Sequence, residues 1–188
     1  MDRPHTTSID GETAICKSVR VFVTNHVLAG VLIGRRFAGR PGTAFLVGFG
    51  SHLAMDAVPH WGCDIHQPGG PERFLRVARR DGILGLAVIA GAARTVPPER
   101  RSATAAAIAG AVLLDVDKPC LHFFSRNPVP EWLQRIHAWV QTESDRLLPV
   151  ELATGVTLAL LGLVSNLSVP AVPLATDRVP RATDHRGA

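Results

Sequence analysis

The sequence predicts an all-α protein, a compact bundle of about five to six helices embedded in a membrane or tightly associated with one. Three observations carry this. Apolar residues come in blocks of about 12–18, broken by Pro, Gly and Arg, and show no period-two alternation of the kind a half-buried strand needs. Aromatic residues make up only 5% and Tyr is absent, so the core must be built from Ala, Val, Leu, Ile and Gly, which suits closely packed helices. Mean hydropathy is +0.17, with His and Asp set inside the apolar blocks.

A chain of 188 residues suits one domain with polar ends. Residues 1–18 read as a flexible arm; they are polar, carry Asp10 and Glu12, and do not read as a signal peptide. The helical body covers 19–168. Residues 169–188, rich in Pro, Arg and Asp, read as a disordered tail. Net charge is +4, almost all of the basic residues being Arg; the only lysines are Lys17 and Lys118. Their spread through many loops suits an anionic membrane surface and lacks the concentrated patch of a nucleic-acid site. Cys16, Cys63 and Cys120 have no CxxC pairing, so they provide neither a disulfide framework nor a thiolate zinc site.

The first helix runs from about Val19 to Phe37, with Gly30 and Gly34 spaced for close packing. Arg35, Arg36, Arg40 and Pro41-Gly42 end it. The second covers about Thr43 to Val58 and stops at Pro59. Turn chemistry occupies 61–71. The third starts near Glu72, basic at first and apolar from Gly82 to Ala93. Pro97-Pro98 separates it from an Ala-rich fourth, Glu99 to Val116, ended by Asp117-Lys118-Pro119. His122 falls in a following loop. Pro128 and Pro130 introduce an amphipathic helix from Glu131 to about Arg146, with Trp132, Ile136, Trp139 and Val140 as its apolar stripe. The last helix, from Pro149 to about Leu167, comes nearest to the roughly 20 apolar residues of a membrane span. Arg is distributed almost evenly over successive loops, so the positive-inside rule does not orient the chain.

The chemistry sits in the polar residues of these apolar helices. His52, Asp56 and His60 are four residues apart and share one helical face. Neutral imidazole and carboxylate are natural ligands of a divalent metal. His26 in the first helix and His137 in the amphipathic helix are the further imidazole candidates. Gln141 shares a face with His137 and suits a supporting shell. Asp81 heads the apolar part of the third helix, either as a site carboxylate or as a partner of Arg79 and Arg80. Asp115 continues the apolar face of the fourth helix and is a better candidate than Asp117, which has Lys118 beside it. Ionisable groups cost about 2.5–3.5 kcal/mol each in membrane helices, whereas a structural zinc contributes about 10–16 kcal/mol in small peptides. One shared metal centre accounts for the cluster better than several isolated polar residues.

Three segments together resemble a known family. Asn25-His26-Val27-Leu28-Ala29-Gly30 is similar to a T-H-x-x-x-G opening. Ser51-His52-Leu53-Ala54-Met55-Asp56-Ala57-Val58-Pro59-His60 is similar to an S-H-x-x-x-D-x-x-P-H segment, and Asp115-Val116-Asp117-Lys118-Pro119 closes the fourth helix. These resemble bacterial membrane-bound metal-dependent hydrolase-like proteins, relatives of the inner-membrane-associated hydrolases. A more distant likeness runs to the all-helical zinc-dependent phospholipase C and single-strand nuclease group. The resemblance covers about residues 20–165. It implies an all-α protein of the cell membrane with a divalent-metal centre, zinc being the expected ion. The chain departs from the pattern at Lys118, where many relatives have His.

Two readings follow. In one, the chain is a membrane-bound metal-dependent hydrolase of phosphoesters or lipid headgroups. His26, His52, Asp56, His60 and His137 hold the metal, Asp81 and Asp115 act in catalysis, and the partner is membrane lipid. In the other, it is a non-enzymatic helical membrane protein whose polar centre fixes the packing. No nucleophile elbow, P-loop or dinucleotide fingerprint is present.

Overall fold

A computed structural model describes residues 22–62 and 68–167. The expected N-terminal arm and C-terminal tail, Cys16 and Cys63 lie outside them. Seven α-helices occur among the described residues: α1 (Val23–Arg36), α2 (Pro41–Ala57), α3 (Gly70–Thr95), α4 (Pro98–Val112), α5 (Asp117–Phe124), α6 (Glu131–Val140) and α7 (Leu148–Leu167). Short 3-10 turns at Leu113–Val116 and Asp145–Leu147 join α4 to α5 and lead into α7. The all-α class follows, and among the described residues only one isolated bridge, His60 with Glu143, departs from it.

Helix α1 is central and packs against α2, α3, α4 and α7. Small residues set its distance from α4. A methyl group at Gly30 would lie 2.7 Å from the Ile108 Cα, and one at Gly34 would meet the Thr104 backbone. Helix α2 is also seated directly on α4: Gly48 faces the Ala107 carbonyl and Gly110 faces the Phe45 carbonyl. The contacts run in register, with Ala44, Ala103 and Ala107 fully buried together. Helices α2 and α4 therefore run parallel to each other and antiparallel to α1. Val31 meets Ala92 and Val96 of α3.

The two ends of the bundle differ. At one end Arg35 bonds the Gly162 carbonyl of α7 at 3.1 Å and Thr95 of α3 at 3.4 Å. At the other end meet the start of α1, the ends of α2 and α4, the start of α7, and the α5–α6 segment. Between the ends, side chains such as Leu46, Ile83, Leu86, Val156 and Leu160 face outward. By length and composition, Leu148–Ser165 of α7 is the one described stretch able to cross a membrane, and little of it is buried.

Two boundaries differ from expectation. Asp117-Lys118-Pro119 begins α5 instead of ending the fourth helix, so His122 is helical. Pro119 falls in the first turn, where a missing N–H breaks no intrahelical bond. Helix α6 stops at Val140, short of Arg146. The chain after it is extended and bonds the end of α2: Thr142 N–H donates to the Asp56 carbonyl (3.3 Å), His60 N–H to Thr142 (3.0 Å) and Ser144 N–H to His60 (2.9 Å). Helix α6 also turns its expected apolar stripe outward, leaving Trp132, Ile136 and Trp139 exposed while His137 points inward.

Candidate metal centre

Five of the ligand-type residues identified in the sequence converge at the polar end. His26 lies in the second turn of α1, His52 and Asp56 in the last turns of α2, Asp115 in the 3-10 turn after α4, and His137 on α6. All are buried; His26 and His52 are fully excluded from solvent. Asp56 is the hub. Its Oδ1 lies 3.3 Å from His26 Nε2. Its Oδ2 lies 2.6 Å from His137 Nε2, accepts from Gln141 Nε2 at 3.3 Å, and lies 3.3 Å from His52 Nε2. His26 Nε2 is 3.8 Å from Asp115 Oδ2. Two metal-capable groups result, His26–His52–Asp115 and His52–Asp56–His137.

Local structure sets the chemistry of these atoms. His52 Nδ1 donates to the Ala111 carbonyl at 2.6 Å, across the α2–α4 contact that Gly48 and Gly110 make close. That bond places the proton on Nδ1 and leaves the Nε2 lone pair facing Asp56 and His137, as in metal-ligating histidines. His137 Nε2 lies only 3.1 Å from His52 Nε2. Neither His26 ring nitrogen has a hydrogen-bond partner, and nor has Asp56 Oδ1. Buried polar groups left in this state cost about 1–3 kcal/mol each.

The electrostatics point the same way. Burial opposes charge on Asp56, but contacts from His137, His26 and His52 outweigh it and hold the carboxyl far below the usual carboxylate range. Burial likewise opposes charge on His52, yet the Asp56 contact and the field of Asp115 prevail and push the imidazole upward. The centre therefore favours positive charge, as a proton or as a cation. A donor set of imidazoles and carboxylates with lone pairs directed inward fits a divalent metal.

The structure puts two predicted residues elsewhere. The Asp81 carboxylate accepts from the Val23 N–H (2.6 Å) and the Thr24 N–H (3.2 Å), while Thr24 Oγ1 donates to its carbonyl (3.0 Å). It caps α1, and no ion pair ties it to Arg79 or Arg80 among the described residues. His60 belongs to neither metal-capable group. Its Nδ1 donates to the Val58 carbonyl at 2.8 Å, and its Nε2 faces Glu143 at 3.9 Å. Asp117 pairs with Lys118.

Glu151 was not legible as a site-end residue. Buried at the start of α7, it accepts from Asn25 Nδ2 at 2.6 Å and from the Phe22 N–H at 3.2 Å. The signal for it is a lone carboxylate in the first turn of an otherwise apolar helix. With Asp81 it places two acids at the N-terminus of α1, favoured by the helix dipole, and so fixes the turn that carries His26. Comparison with protein-family models, curated proteins and solved structures finds no match to this chain.

Proposed function

We propose that this protein is a membrane-bound metal-dependent hydrolase whose centre lies at lipid-headgroup level, acting on phosphoesters or lipid headgroups. One observation carries the reading: His26, His52, Asp56, Asp115 and His137, drawn from four elements, bring imidazole nitrogens and carboxylate oxygens within a few ångströms of one another in one buried space. The motif resemblance to membrane-bound hydrolase-like proteins agrees with it. The membrane half of the reading is supported by α7 and by the exposed Phe123, Phe124, Trp132 and Trp139 on α5 and α6. Exposed aromatic side chains, Trp above all, are enriched at the membrane–water interface.

A divalent cation, zinc by its ligand chemistry, supplies Lewis acidity toward a phosphoryl or carbonyl oxygen and acidifies water. The chain's own residues do the rest. His52 is held in one tautomer by Ala111. Gln141 bonds both Asp56 and His137 and keeps them in register. Asp81 and Glu151 are positioning residues, holding the helix start that carries His26. Asp115 adds a second carboxylate to the centre, 3.8 Å from His26 Nε2.

The second reading, a structural polar centre without catalysis, is favoured by the burial of its residues, since closed sites are the structural kind. Two measurements separate them. The hydrolase reading expects cleavage of a phosphodiester reporter in detergent or vesicles, abolished by chelator and restored by metal. Metal-dependent melting with no turnover of any phosphoester or lipid favours the structural reading.

A further inference from the structure

The two metal-capable groups cannot both be served by one set of atoms. His52 belongs to each, but its Nδ1 is committed to Ala111, and one remaining lone pair binds one ion. A carboxylate has no such limit, and Asp56 faces both groups, Oδ1 toward His26 and Oδ2 toward His52 and His137.

Ring orientation decides how the imidazoles are used. An imidazole binds an ion in its own plane, along the nitrogen lone pair. The His26 and His52 rings are stacked, with centroids 4.2 Å apart and planes only 24° from parallel. Their lone pairs therefore run side by side and do not converge on a point. His52 and His137, by contrast, are inclined at 55° and bring their Nε2 atoms to 3.1 Å, the arrangement of two ligands on one ion. An ion shared only by His52, Asp56 and His137 leaves His26 fully buried, its Nδ1 without a hydrogen-bond partner and its Nε2 with no contact better than the 3.3 Å approach to Asp56 Oδ1.

We propose that Asp56 bridges two divalent cations, one held with His26 and Asp115, the other with His52 and His137. The proposal rests on the metal-centre reading above and deepens it. Each ion then has three protein ligands, the number usual where a position stays open. Two divalent cations bring four positive charges to two carboxylates. The excess favours an anionic ligand, and two-ion sites serve displacement at phosphorus. The substrate class is narrowed to phosphoesters over neutral acyl esters.

The test uses the full chain in detergent, stripped with chelator and reloaded with Mn2+. Two equivalents are expected by elemental analysis, with an exchange-coupled multiline spectrum by electron paramagnetic resonance. Asp115→Asn, close in shape to the native residue, should retain one equivalent and give the six-line signal of an isolated ion, as should His26→Ala. Asp56→Asn should weaken both sites. One equivalent with an uncoupled signal in the unmodified chain overturns the bridged pair and leaves the metal centre standing. No bound metal overturns both. A two-equivalent, uncoupled result that Asp56→Asn leaves unchanged also overturns the bridge.

Discussion

The two halves of the bundle use the same three helices for opposite purposes. In the lower half α1, α2 and α4 meet through Gly34, Gly48, Ala44, Ala103 and Ala107, with backbone against backbone and hardly any side chain between. In the upper half the same helices carry His26, His52, Asp56 and Asp115 into a shared polar space. The first half is held by van der Waals contact and leaves no room for change. The second gathers imidazoles and carboxylates and could hold a cation. The close packing below is what lets His52 reach the Ala111 carbonyl, so the apolar half sets the tautomer of the polar one.

Metal removal should sharpen this contrast most. With free metal near a thousand times its dissociation constant, binding stabilises the fold by about 4 kcal/mol. Chelator should therefore lower the melting temperature of the unmodified chain and leave that of Asp56→Asn unmoved. Gly48→Val attacks the other half. Its side chain has only the Ala107 backbone to displace, and we expect a loss of about 3 kcal/mol, read by thermal melting and equal in size with and without chelator. A chelator-dependent loss would break the division between the halves.

Asp81→Asn tests the link between them. It weakens the cap on α1 and should cost about 1 kcal/mol, with a larger proportional loss of metal affinity than of stability, followed by titration calorimetry. The smallest effect concerns the outer surface. Replacing exposed Trp132 and Trp139 by Phe should change stability by under about 0.5 kcal/mol. The same pair of changes should remove most of the quenching of tryptophan emission by brominated lipids, because the remaining Trp61 is buried. Quenching that persists would place the α5–α6 surface away from lipid.

Much of the centre was legible because its signal is local. His52 and Asp56 are one helical turn apart, and helical geometry alone puts them on one face. Asp115 separated from Asp117 by the same reasoning, since Lys118 offers Asp117 a neighbouring partner. What periodicity does not encode is register between helices. Asp81 and Glu151 bond the start of α1 only because α3 and α7 run parallel to it at one particular height. His60 shares the face of His52 and Asp56 in a helix, but the helix ends at Ala57. Pro59 turns His60 out toward Glu143. The stripe on α6 was legible as a stripe, but not that Trp132, Ile136 and Trp139 would lie exposed. A hydrophobic pattern does not say which side of a helix faces the bundle, and here His137 turns toward Asp56.

The most direct test of the central claim is the metal content of the purified chain, measured beside that of Asp56→Asn. The account predicts stoichiometric divalent metal in the unmodified protein, falling to background in the variant while the variant stays folded. An unmodified chain that is metal-free after exposure to zinc, manganese and iron, and melts at the same temperature with and without them, would contradict it.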